Sequence, residues 1–150
     1  MKTAYKAFAY LIALGVLVQA AAIALAWFMV INDLEAGGVF NKDSEWNIGH
    51  SVHGMLGFTI MPIVALLFLI VSFFAKVPGG IKWAAITFGL VILQVVLAIV
   101  AFSTPAVGAL HGVNALALLA VSAMAGVRVS RGARAAGPRT SATAGEPELV

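Results

Sequence analysis

The chain holds three histidines, and each stands at the mouth of an apolar run. His50 and His53 lie three apart in "WNIGHSVHGMLGF", and His111 opens "HGVNALALL". A neutral imidazole is the commonest metal ligand, and it also titrates near neutral pH. Ionisable groups inside membrane-length apolar segments are rare, and by default they mark function. Two chemistries suit this set. His53 and His111, on facing helices, can clasp the iron of a b-type haem from both sides. Alternatively, His50 and His53 can chelate copper or zinc at i, i+3, with His111 as a third ligand and the outer-loop carboxylates assisting. His50 also has a plainer reading, as a headgroup-level residue open to water.

Other polar residues sit near this set. Gln19 and Gln94 each fall in the middle of an apolar block. Such amides either bond a neighbouring helix or line a cofactor or quinone pocket. Asn114 follows His111 by three residues, on a neighbouring part of the same helix face. It can anchor a haem propionate, hold a bridging water or tie two helices. Gly57 lies one turn from His53 on the same face and leaves room for a flat macrocycle. Gly54, Gly108 and Gly112 thin the same region, whether for a cofactor or for close helix packing.

The chain has no cysteine, which excludes disulfides, iron–sulfur clusters, thiolate haem ligation and c-type haem attachment. No hydrolytic constellation is visible, so the sequence does not decide whether the protein is an enzyme. Ser72, Thr87 and Ser122 lie in apolar stretches with no histidine or acid close in sequence. Hydroxyls in that setting bond back to their own helix.

The elements that position these residues follow from composition. Apolar residues make up 62% of the 150 positions and charged residues only 10%, against roughly 45–50% apolar in soluble domains. Four blocks, about 8–31, 49–75, 83–102 and 106–127, reach the ~20 residues that a spanning helix needs. The fold expected is an all-α integral membrane four-helix bundle over residues 1–131, followed by a disordered cytoplasmic tail at 132–150 rich in Ala, Gly, Pro, Ser and Thr. The first block is too long for the apolar core of a cleaved signal peptide and reads as a retained helix. Pro62 predicts a kink in the second helix.

Blocks 1 and 3 each carry a Gly, then a Gln, then an apolar run ending in an aromatic. Blocks 2 and 4 each contain His-Gly, as His53-Gly54 and His111-Gly112. The chain therefore reads as two helical hairpins and a possible internal repeat, an arrangement that places sites at the repeat interface.

Basic residues set the orientation. Lys2, Lys6, Lys76, Lys82, Arg128, Arg131, Arg134 and Arg139 fall on one side, and Lys42 faces Asp33, Glu35, Asp43 and Glu45 on the other. The positive-inside rule then puts both termini in the cytoplasm of a bacterial plasma membrane and all the histidines toward the outer face. Topology absorbs the net charge of +3, so nucleic acid is not needed as a partner. The bilayer is the partner expected, with quinone, a homodimer or a larger membrane complex as candidates. His111 lies 17 residues from Arg128, about 25 Å, and His53 lies 23 residues from Lys76, about 34 Å. This leaves a mismatch in depth of about 9 Å at the same rise per residue.

"ALHGVNALALLAVSAM", "HGMLGF" and the paired "LVQ" and "ILQ" segments resemble a group of small four-helix bacterial membrane proteins of unknown function, over about Tyr5 to Arg131. More distantly, the layout is similar to one half of haem A synthase. That resemblance implies one histidine on helix 2 and one on helix 4 holding a b-type haem near the outer face, at the places of His53 and His111. Two departures stand out: no acidic residue immediately precedes His53, and Gly54 occupies the place of a basic residue. The resemblance therefore implies simple haem binding rather than haem modification, and the function expected is that of a small b-type cytochrome exchanging electrons with quinol or a partner near the outer face. The reading from another class is a non-enzymatic accessory subunit of a membrane complex.

Overall fold

Four helices account for most of the chain in a computed structural model that describes the backbone of residues 1–135 and side chains through Ser130. They are α1 (Lys2–Glu35), α2 (Ile48–Phe74), α3 (Gly80–Ala101) and α4 (Val107–Ala135). All four are long and apolar enough to cross a membrane. The starts and ends fall within a few residues of the apolar blocks, except that α1 begins earlier and α4 runs eight residues past Val127. Of the tail expected at 132–150, residues 132–135 continue α4, and 136–150 lie outside the described residues.

Each helix packs on two neighbours: α1 on α2 and α4, α3 on α2 and α4. The faces that meet are built from small residues. Ala9, Ala65, Ala84 and Ala125 are fully buried, with Ile12, Phe68 and Tyr5 filling the space between them. Without a hydrophobic drive between helices in lipid, close approach through small residues supplies the contact. The outward faces carry large apolar side chains such as Leu14, Ile63 and Leu116, the last 67% exposed. Such a surface suits contact with lipid rather than water.

The tightest approach lies between α1 and α2. A Cβ added at Gly49 would stand 2.6 Å from the Ala22 carbonyl oxygen and 2.6 Å from the Ala26 nitrogen. Only glycine permits that crossing. Asn47 fixes the same corner: its Oδ1 accepts from the His50 backbone N–H at 3.2 Å, capping α2, and its Nδ2 donates to the Ala26 carbonyl at 2.9 Å.

Within α2, residues Leu56–Ile60 form a π turn just before Pro62. Pro62 has no N–H to give the Phe58 carbonyl. The wider turn accommodates that break, so the irregularity expected at the proline takes this form. At the opposite end of the bundle, Lys76 (φ 50°) and Gly79 (φ 68°) adopt left-handed backbone in the tight turn into α3. The buried Tyr5 hydroxyl donates to the Gly80 carbonyl at 3.0 Å and ties that turn to α1. Ser72, Thr87 and Ser122 donate to the Leu69, Trp83 and Leu118 carbonyls of their own helices, as expected of hydroxyls in apolar helices.

Candidate functional site

Two glutamines and two histidines form a recurring contact. On α3 and α4, His111 Nδ1 lies 3.1 Å from the Gln94 backbone carbonyl, and Gln94 Nε2 donates to the His111 backbone carbonyl at 3.0 Å. On α1 and α2, His53 Nδ1 lies 3.0 Å from the Gln19 backbone carbonyl. With the Gln19 amide turned so that its oxygen accepts from the Gly57 N–H at 2.8 Å, its Nε2 donates to the His53 backbone carbonyl at 2.9 Å. Each pair is reciprocal: ring to carbonyl one way, amide to carbonyl the other.

The carbonyl opposite Nδ1 favours the Nδ1–H tautomer most plainly at His111. In that orientation Gln19 Nε2 also stands 2.8 Å from His53 Nδ1. Two assignments then compete: Nδ1 as acceptor from the amide, or as donor to the carbonyl. A carbonyl only accepts, so an unprotonated Nδ1 beside it would set two lone pairs against each other. At His111, where the carbonyl is the partner of Nδ1, that nitrogen carries the proton and Nε2 is left as the basic nitrogen; at His53 the Gln19 carbonyl and amide compete for Nδ1. The two ring centroids are 6.3 Å apart with their planes inclined by 59°. The depth mismatch of about 9 Å reckoned from the helix ends does not keep the rings apart.

Both rings line a cavity of about 670 Å³, within the range of cofactor- and drug-sized sites. Its walls are mostly apolar, with Ile23, Phe58 and Phe102, and they are thinned by Gly54, Ala98 and Gly108. Beneath it, a small cavity of about 60 Å³ brings Gln19, Gln94, Gly57 and both histidines together.

The other residues expected at the site divide. Gly54 and Gly108 supply the room beside the rings. Gly57 does not lie along the large cavity: a Cβ there would meet the Gln19 amide at 3.0 Å, so its role is to admit that side chain. Gly112 is exposed, has open space where a Cβ would go, and lies apart from the cavity. Its side of α4 faces outward, one residue round the helix from His111. Asn114 is buried, and its Nδ2 donates to the Leu90 carbonyl at 2.9 Å and to Gln94 Oε1 at 2.5 Å. Of the roles open to it, the structure gives the helix tie.

His50 differs most from expectation. It is not a water-facing headgroup residue: only 7% of it is exposed. Its ring sits among Trp46 (4.8 Å), Trp27 (5.5 Å) and Phe40 (6.2 Å, nearly parallel at 13°). Among the described residues, no group of three or more His, Cys, Asp or Glu side chains is arranged to hold a metal ion. The three-histidine copper or zinc site expected as an alternative is therefore not formed by these side chains.

Sequence reasoning missed Gly49, Asn47 and the aromatic cage. The Asn before an apolar helix start was a readable capping signal. Trp27 and Trp46 carried the signature of an interfacial aromatic belt, but nothing local tied them to His50. Comparison with protein-family models, curated proteins and solved structures gives no match for this chain.

Proposed function

We propose that the protein is a small b-type haem protein of the bacterial plasma membrane, with one haem between His53 and His111 near the outer face. The observation that carries this reading is the pair itself. Two imidazoles, each with Nδ1 bound to a carbonyl of the facing helix, line one apolar cavity with their centroids 6.3 Å apart. Two nitrogen ligands at about 2.0–2.1 Å on opposite sides of one metal put imidazole centroids about 6 Å apart. Metal-binding histidines characteristically give their second nitrogen to a carbonyl or carboxylate, which fixes the ring and raises its basicity. Here Gln94 O and Gln19 O take that part, and the glutamine amides in turn hold the backbone of each histidine.

When bound, haem supplies one-electron exchange. The protein's own part is to fix two donors, line the cavity with apolar side chains such as Phe58 and Phe102, and leave room beside the rings at Gly54 and Gly108. The matching Gln–His contacts favour two related helical hairpins, α1–α2 and α3–α4, meeting at the site. The distribution of basic residues favours both termini inside. One haem on one side would not cross the bilayer, so a quinol, a second copy or a partner subunit at the outer leaflet would be needed to exchange its electron.

The test is an absorption spectrum of the purified protein, oxidised and dithionite-reduced, with a pyridine haemochrome assay. A sharp reduced b-type spectrum at close to one haem per chain is the result expected. Colourless protein from haem-replete cells would overturn the proposal and favour an accessory subunit instead.

A further inference from the structure

The histidine that does not join the pair is the least satisfied polar group described. His50 is 7% exposed, and neither its Nδ1 nor its Nε2 has a hydrogen-bond partner. Its backbone N–H is already taken by Asn47 Oδ1, so the unmet need is in the ring. Buried polar groups in folded proteins are nearly always bonded, and an orphan calls for a ligand, a water or an ion. The ring lines the same cavity as His53 and His111. It stands one turn outward on α2, about 4.5 Å along the axis from His53.

The cavity's composition narrows what His50 meets. No Lys, Arg, Asp or Glu is among its lining residues. A macrocycle centred on His53 and His111 extends past them in the plane of the gap. Its apolar edge suits the wall of Phe58 and Ala98, and its carboxylate edge needs a donor on the outward side. Trp27, Trp46, Ser51 and His50 all line the cavity and carry donors, and of these His50 is the one whose side-chain nitrogens are buried with no partner. The surrounding aromatic rings, Phe40 stacked and Trp27 and Trp46 near perpendicular, hold the imidazole in place, and a neutral imidazole still has one N–H to give. A carboxylate beside it makes a charge-assisted bond in a site of low dielectric.

We propose that His50 binds a propionate carboxylate of the haem and thereby fixes which edge of the macrocycle points outward. The inference rests on the haem reading above. It assigns Asn114, already bonded to Leu90 and Gln94, no part in that contact.

The experiment titrates protein from haem-starved cells, in detergent micelles, with haem and with haem dimethyl ester, whose propionates are blocked. Wild-type protein should bind haem roughly tenfold to a hundredfold more tightly than the ester, the range for a hydrogen bond to a charged group. His50→Phe keeps the ring volume without the nitrogens. It should bind both porphyrins with about the affinity of the ester, and both should still give the low-spin spectrum. Equal affinity of wild-type protein for the two porphyrins would overturn the inference, and that comparison needs no variant to fold. So would a His50→Phe protein that keeps the full preference for haem. If neither porphyrin binds, the haem reading fails and takes this inference with it.

Discussion

On the α1–α2 side of the bundle, His53 is backed by backbone. Gly49 brings the two helices into main-chain contact, and the Gly57 N–H holds the Gln19 amide. On the α3–α4 side, His111 is backed by side chains: Asn114 bridges from the Leu90 carbonyl to Gln94 Oε1, and Gln94 reaches the His111 carbonyl. The ring contacts are alike on both sides, 3.0 Å and 3.1 Å to a glutamine carbonyl. A site that needs two equivalent donors can thus be supported by steric fit on one wall and by polar bonding on the other. Substitutions that work through bulk should injure the first wall, and those that remove an amide should injure the second.

The largest effect should be common to both. On the proposed haem reading, His53→Ala or His111→Ala would remove one of the two donors, and each should abolish the low-spin haem spectrum regardless of which wall it stands on. An intact spectrum in either variant would break the symmetry assumed here.

Gly49→Val comes next, because its side chain would enter the backbone of α1. Overpacking of this kind costs about 1–3 kcal/mol, read as lowered thermal stability in detergent. Asn114→Leu removes the helix tie and leaves the Gln94 amide short of a partner. It should cost about 1–2 kcal/mol, the upper range for interhelical bonds in membranes. The double variant with Gln94→Ala should cost less than the sum of the two single variants, since they share a bond. Equal additivity would argue that the α3–α4 wall is not a network. The smallest effect belongs to Gly112→Ala, which has open space around it. A change within about 0.5 kcal/mol is expected there, in contrast with its fellow glycine at position 49.

The four spans and their ends were legible because apolar length is a strong one-dimensional signal, and so was the convergence of His53 and His111 at one end of the bundle. The partners of those rings were not. A backbone carbonyl carries no residue identity, so nothing in "LVQ" or "ILQ" marks Gln19 and Gln94 as acceptors for imidazole. The separate roles of the glycines were hidden for a related reason. Gly57, Gly112 and Gly49 look alike in the sequence, and only the helix rotation decides which one meets backbone, which meets an amide and which meets open space. The burial of His50 was not legible, because it comes in part from Phe40 and Trp46, contributed by the loop between α1 and α2.

In the proposed haem site one iron would be held by the two imidazoles of His53 and His111. Electron paramagnetic resonance of the oxidised, purified protein tests this most directly. A low-spin ferric signal typical of two nitrogen axial ligands, at close to one per chain, is the result predicted. A high-spin ferric signal, or no ferric haem signal from protein made in haem-replete cells, would contradict it.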